Sequence, residues 1–511
     1  MLSASDKDKQ ITRLQAQVDN QSALIEQLKE ALILERQRRF AKLNEGLRSL
    51  QSELFDEVEA EAQAVELATK SEQVTIPAHT RKKTGGRKPL PKDLPRIDQV
   101  YDLADSEKVC AHGHALTPMG EKVSEQLDVI PMQLQVIRHV RKQYVCKCCE
   151  NAGETVIKTA AKPKQPIEKS QASPGLLAYV ATAKYTDSMP LYRQTEIFKR
   201  CDIELDRTKL ANWMIRCGDL VQPIINRLEE QLLSAQVLHM DETPVQVLNE
   251  AGKRAQSKSY MWVRKTDPPP TLKSKESLAN KIILFDYDPS RSSAVPLRLL
   301  EGYSGALMLD GYVGYDAACA AMSIRRLGCW THARRKFVEA SKANKKNNGQ
   351  SAKVIKLIAK LYKLEKAIKA LSATEKYEHR VAKAKPIIEK LHAWLIEIQP
   401  KVPPKSALGN AITYLANQWA HLIGYLEDGA YPIDNNTVEN AIRPFAIGRK
   451  NWLFSQSVQG AKASANLYSL LETAKANGVE PYAYLKRVFS EVPNASSFDD
   501  IDKLLPFKSK N

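Results

Sequence analysis

The segment Asp434-Asn435-Asn436-Thr437-Val438-Glu439-Asn440-Ala441-Ile442-Arg443-Pro444-Phe445-Ala446-Ile447-Gly448-Arg449-Lys450-Asn451-Trp452 constrains the chain more than any other. Asn436-Thr437 is a helix-start signal, Glu439 stands one turn inside, and Arg443 follows at i+4. Pro444 predicts a stop, with a Gly-Arg-Lys-Asn-Trp turn beyond it. One acid is thus ringed by cations and amides suited to a polyanion. Two earlier acids, Asp241 and Asp310, each close a β-like run and are its expected partners. The three carboxylates are predicted to hold divalent metal for phosphodiester chemistry on DNA.

That chemistry needs an activated oxygen nucleophile, a stabilised leaving oxygen and relief of charge on the phosphate. Two Mg²⁺ (or Mn²⁺) ions supply all three when carboxylates hold them. Each acid also has a plainer role. Asp241 in Met-Asp-Glu-Thr-Pro and Asp310 before Gly311 are common turn residues. Asn436-Thr-Val-Glu439 spells the two ends of a capping box, which would occupy Glu439 without metal.

Composition sets the partner class. The chain has 511 residues, too many for one ordinary domain, so three to five units are expected. It carries a net charge of +17 with 43% hydrophobic and 26% charged residues, the balance of a globular protein with an anionic partner. No apolar run approaches the roughly 20 residues of a spanning helix, and no signal-peptide core opens the sequence. Double-stranded DNA in a cytoplasmic setting is therefore expected, with no membrane. The eight cysteines are sparse and form one cluster, which suits a metal site in a reducing compartment.

The periodicity predicts a multidomain α+β chain. Residues 1–70 read as a helical, coiled-coil dimerisation region: Ile11, Val18, Ile25 and Leu32 fall on heptad position a, Leu14 and Leu28 on d, with Gln21 and Glu35 interrupting. The plainer alternative is an amphipathic helix docked on its own chain. Residues 71–98 are a basic linker in which Arg87 and Lys88, between Gly and Pro, suit a DNA minor groove or simple phosphate contact. Residues 99–165 read as a zinc-binding module. A strand-like run from Val136 to Val145 leads into Cys146-Lys-Cys148-Cys149, and Cys146 and Cys149 make a good pair. Cys110, with His112 or His114, is the less regular half, Cys148 is a spare thiol, and His139 faces out. Residues 166–232 are helical, either a helix-turn-helix reader or a packing scaffold.

Residues 233–340 and 431–455 then alternate strands and helices. Three strands begin at Val237, Ser259 and Lys281, and a helix spans Ser292–Leu300. A strand ends at Leu309 and a last one covers Leu327–Trp330, before a basic helix through Arg335. This is the order of a ribonuclease-H-like mixed β-sheet, in which the first and fourth strands are neighbours, so Asp241 and Asp310 should meet. Residues 341–430 interrupt it with a helical insertion marked by Ile355, Ile358, Leu361, Leu364, Ile368 and Leu371. Residues 456–511 are C-terminal helices and a loose tail.

Several motifs together resemble the insertion sequence 66 family of transposases. They are Asp241-Glu-Thr-Pro, Asp310-Gly-Tyr-Val-Gly-Tyr-Asp316, Cys329-Trp-Thr-His332-Ala-Arg-Arg-Lys-Phe337, Asn435-Asn-Thr-Val-Glu439-Asn-Ala-Ile-Arg-Pro444 and Gly448-Arg-Lys-Asn-Trp-Leu-Phe454. The likeness spans nearly the whole chain, and departs from the family where Cys110-Ala-His112-Gly-His114 replaces a cleaner pair. It implies a DDE transposase with Asp241, Asp310 and Glu439 as the triad, a Mg²⁺ requirement, cutting at inverted-repeat ends and strand transfer into target DNA. It also implies a structural role for Cys329 and His332, and small accessory proteins from the same element. On that reading Arg443, Arg449 and Lys450 hold phosphates, and Trp452 stacks on a base or packs in the core. The rivals are a regulator that has lost catalysis and a nuclease that cuts without joining.

Overall fold

The computed structural model describes residues 4–40, 96–98, 100, 124, 126, 133–145, 157–266, 280–343 and 348–507. The expected zinc ligands Cys110, His112, His114, Cys146, Cys148 and Cys149, and the linker residues Arg87 and Lys88, lie outside them. Residues 67–138 form one compact unit, and residues 1–66 with 139–511 form the other, which holds all the described helices and strands.

Helix α1 covers Ala4–Phe40, and a short exposed hairpin pairs β1 (Gln143–Val145) with β2 (Ile157–Thr159). His139 beside it is exposed, as expected. Four helices come next: α2 (Pro174–Tyr185), α3 (Leu191–Lys199), α4 (Arg207–Leu220) and α5 (Gln222–Leu233). The chain then forms β3 (Val237–Asn249), β4 (Lys258–Thr266), β5 (Ile282–Asp288), α6 (Ala294–Leu299), β6 (Ala306–Leu309), α7 (Asp316–Ala321) and β7 (Arg325–Gly328). Helices α8 (Trp330–Ala343), α9 (Asn348–Ala367), α10 (Ala373–His379), α11 (Lys385–Ile398) and α12 (Ala407–Leu422) form the next block. The chain closes with α13 (Asn436–Trp452), β8 (Ser455–Ser457), α14 (Val458–Ala476), α15 (Pro481–Glu491) and α16 (Phe498–Asp502).

The sheet runs β5-β4-β3-β6-β7, antiparallel among the first three strands and parallel thereafter, with β8 added alongside the far end of β3. Strand β6 is apolar and buried along its whole length, Ala306–Leu309, as a strand inside a parallel sheet is. On one face α14 lies against β5, where Ser469 and Thr473 accept the backbone N–H groups of Phe285 and Ile283 at 2.7 and 3.0 Å. Helix α4 lies against α14 so closely that a Cβ on Gly218 would stand 2.5 Å from Ala463 Cα.

The insertion has its own core. Trp330 and Phe337 of α8 pack with Ile358 and Leu361 of α9, Leu391 and Trp394 of α11 and Leu415 of α12. Trp330 Nε1 donates to the Leu422 carbonyl at 2.9 Å, which ties this core to the sheet's last crossover. Helix α1 docks here too: the buried Glu30 carboxylate accepts the Ala407 N–H at 3.0 Å. The heptad residues Leu14, Val18, Ile25, Leu28 and Leu32 stay exposed.

Four local expectations change. Asp241 sits inside β3, not at its tip, because β3 continues through Thr243-Pro244 to Asn249. Pro244 is tolerated there since β6 has already ended and β8 joins only at Val247, leaving that edge open for a residue without an N–H. Pro444 does not stop α13, whose buried face of Val438, Ala441, Ile442, Phe445 and Gly448 outweighs the roughly 3 kcal/mol a mid-helix proline costs. The last strand ends at Gly328, so Cys329 occupies the strand-to-helix junction. The tail is packed: Ile501, Leu504 and Leu505 are buried, and Arg227 holds Asp502 at 2.8 Å.

The α4–α14 contact yields a stability test. Gly218→Ala should destabilise the chain by roughly 1–3 kcal/mol in denaturant unfolding, the usual penalty of overpacking, and adding Ala463→Gly should recover part of it. A gain of about 1 kcal/mol, the helix-propensity difference alone, would contradict the close approach.

Candidate active site

The site begins with strand register. Val237, Leu238 and His239 pair in parallel with Ala306, Leu307 and Met308. Carrying that register two residues further sets Asp241 level with Asp310, just where β6 ends and its backbone turns away. Asp310 Oδ1 accepts the N–H of Tyr312 at 2.9 Å. The buried Arg326 guanidinium donates to the Asp310 carbonyl at 3.1 Å and to the Tyr312 carbonyl at 3.3 Å, and pairs with Asp316.

Glu439 arrives from α13, and Asn435 fixes how that helix enters. This fully buried side chain donates from Nδ2 to the Met240 carbonyl at 3.0 Å. With the amide so oriented, its Oδ1 faces His239 Nδ1 at 2.9 Å, so that ring nitrogen carries the proton and donates. The Asn435 N–H donates to Cys329 Sγ at 3.3 Å, and Lys265 of β4 reaches Thr437 in the first turn. One asparagine therefore joins β3, the strand-to-helix junction and α13 within two residues of Asp241.

The capping-box expectation for Glu439 is overturned. The helix starts one residue earlier than the box requires, with Asn435 as its N-cap and no side-chain cap bond. Glu439 then falls beyond the third helical position, and its Oε2 accepts from Arg335 Nη2 at 2.7 Å. Its Oε1 lies 3.8 Å from His332 Nδ1. The first-turn N–H of Asn436 is satisfied by Asp434 Oδ1 at 3.1 Å.

Electrostatics set Asp241 apart. Burial chiefly, then the charges of Glu242, Asp310 and Glu439, push its carboxyl well above the usual range. Glu242 is also raised by burial, although Tyr315 at 2.5 Å and Arg291 at 2.7 Å hold its oxygens. His332 is lowered by burial and so favours the neutral imidazole. Carboxylates gathered at such a cost are what a divalent cation would relieve, and an all-oxygen set from strand ends suits Mg²⁺ or Mn²⁺.

The remaining expected residues divide. Lys450 is exposed and Arg443 lies on the same helix as Glu439. Arg449 is committed to β3, donating to Thr243 Oγ1 at 3.1 Å and to the Pro244 carbonyl. Trp452 belongs to an aromatic cluster with Phe445 and Tyr468, and Lys184 Nζ sits 4.3 Å above its ring. Sequence reasoning missed Asn435, Arg335, Arg326 and Glu242 as parts of the site. Arg335 and Glu242 lay inside quoted motifs, but only the fold aims their side chains.

Comparison with known proteins shows the family. The family described as "Transposase IS66 family" matches residues 169–463, which hold the whole sheet, the insertion and all three acids. The chain belongs to the IS66 family of transposases. Three further IS66 descriptions flank that match: a "zinc-finger binding domain of transposase IS66" over 107–150, an "IS66 C-terminal element" over 469–507 and a "Transposase C of IS166 homeodomain" over 27–98. The zinc-finger match contains Cys110, His112, Cys146 and Cys149, so a zinc-binding domain is part of this IS66 transposase. Two relatives from Sinorhizobium fredii (strain NBRC 101917 / NGR234) are both called uncharacterized proteins. The chain is 30% identical to y4jD over 82% of its own length and 81% of the relative's. It is 29% identical to y4hP over 95% and 88%. No helix among the described residues of this transposase is long and apolar enough to cross a membrane.

The asparagine hub can be tested directly. Asn435→Ala removes the bonds to the His239 ring and the Met240 carbonyl and leaves a void at a fully buried position, and should cost on the order of 2 kcal/mol or more in equilibrium unfolding. A loss below about 0.5 kcal/mol would show that α13 is held some other way.

Proposed function

We propose that this transposase cleaves DNA at the inverted-repeat ends of its element and joins the freed 3′-hydroxyl to target DNA, with Asp241, Asp310 and Glu439 as its DDE triad. The observation that carries the reading is the β3–β6 register, which sets Asp241 level with Asp310 and leaves Glu439 one asparagine hub away. The strand order β5-β4-β3-β6-β7 supports a ribonuclease-H-like core.

Two Mg²⁺ or Mn²⁺ ions, when bound, would activate the attacking oxygen and stabilise the leaving one. The chain's residues do the placing. Asp241 and Asp310 present carboxylates from adjacent strands, and Arg326 fixes the turn that carries Asp310. Arg335 orients Glu439 by one oxygen and leaves the other, Oε1, beside His332 without a hydrogen bond among the described residues. Lys450 and Arg443 supply phosphate contacts along α13, while Arg449 and Trp452 act by holding that helix against the sheet.

The other segments complete the reading. Cys110, His112, Cys146 and Cys149 hold structural Zn²⁺, with His114 or Cys148 as substitutes, and Arg87 and Lys88 track phosphates. The exposed heptad residues of α1 support a homodimer that pairs two ends. Small accessory proteins of the same element act with it, in a bacterial cytoplasm.

Glu439→Gln is the decisive substitution. It keeps the size of the side chain and a neutral contact to Arg335, so unfolding free energy should stay within about 1 kcal/mol of wild type. One neutral oxygen is a poor ligand for a hard cation, so end cleavage and strand transfer should both disappear while DNA binding persists. A Gln variant that cleaves and joins near the wild-type rate removes Glu439 from the triad. Nicked products without joined ones from the wild-type chain would favour a nuclease.

A further inference from the structure

A second donor set stands behind the carboxylates. Cys329 Sγ, His332 and Glu439 offer ligand atoms that all lie within 4.8 Å of one another. Cys329 closes the β7 crossover and His332 sits on the first turn of α8, so two donors come from one junction and the third from α13. His332 Nδ1 and Glu439 Oε1 face each other at 3.8 Å, are both shielded from solvent, and have no hydrogen-bond partner among the described residues. Such orphaned atoms are costly unless something bridges them.

We propose that Cys329, His332 and Glu439 form a site for a soft divalent cation of the zinc class, which withdraws Glu439 from Asp241 and Asp310 when filled. The withdrawal rests on the triad reading, while the binding does not. Sulfur and imidazole donors select zinc-class ions, whereas magnesium prefers oxygen. Ligand distances near 2.0–2.3 Å in a tetrahedron put donors roughly 3.3–3.6 Å apart, so the His332–Glu439 pair needs to close by less than an ångström. Arg335 on Oε2 orients the carboxylate from outside, as partners of ligating carboxylates do. Binding releases the Cys329 thiol proton to solvent and leaves the fourth position to water. The two ions then compete for Glu439: the oxygen-seeking pair engages it for the reaction, and the softer ion holds it away.

Full-length protein stripped of metal and titrated with Co²⁺ tests this, because cobalt reports thiolate ligation by a near-ultraviolet charge-transfer band. Wild type should take one more Co²⁺ per chain than Cys329→Ser, with that band in the difference spectrum. His332→Gln should show the same loss, which guards against a folding defect peculiar to one variant. Zn²⁺ added to Mg²⁺-dependent cleavage should inhibit wild type at a concentration at least tenfold below that needed for either variant, each relative to its own uninhibited rate. Equal cobalt content in all three proteins overturns the site. A lost cobalt with unchanged zinc sensitivity overturns the withdrawal of Glu439. Failure of the triad reading would appear separately, as a Glu439→Gln chain that still cuts DNA whatever its cobalt count.

Discussion

The parallel pairing of Val237–His239 with Ala306–Met308 is the contact on which the site depends. It is made by residues outside the acid cluster, four of them fully apolar and buried, and its register fixes which acids meet. A slip of one residue would turn every side chain of β6 to the other face and separate Asp310 from Asp241. Leu238, Leu307 and Met308 are fully buried, so any such slip would have to repack all three.

The next constraint is repulsion. Bringing Asp241 beside Glu242, Asp310 and Glu439 in a partly buried place raises its carboxyl and costs stability. The fold tolerates this because Arg335, Arg326 and Arg291 each neutralise or tether one neighbour, and because Asn435 clamps α13 to β3 with neutral bonds. Among the described residues, the Asp241 carboxylate accepts only the Glu242 N–H, at 2.9 Å. The strain is left at the residue that a cation would contact on the proposed reading.

Much of this was legible in the residues. The apolar runs ending at Asp241 and Asp310 gave two strands and their order, and the helix-start signal before Glu439 lay within one residue of the true start. Long motifs around all three acids also carried the family likeness that the comparison bore out. The misses share a cause. Pro444 and Pro244 signal breaks locally, yet α13 is held by its buried face and β3 by its pairing with β4, which no local pattern shows. The capping box failed by one residue because Asp434 and Asn435 already serve the helix start. Arg335 looked like one cation in a basic run until the insertion's core aimed α8 at the site. The tail looked loose because Ile501, Leu504 and Leu505 find their pocket only against distant helices.

Iron-directed backbone cleavage tests the central claim, that one divalent site is shared by acids from three separate elements. Fe²⁺ substitutes for Mg²⁺ at oxygen sites, and with ascorbate and peroxide it cuts the polypeptide nearest the bound ion. A shared site predicts cuts clustered beside Asp241, Asp310 and Glu439 together, all suppressed by excess Mg²⁺. Cuts confined to one of the three, or unaffected by Mg²⁺, would contradict it.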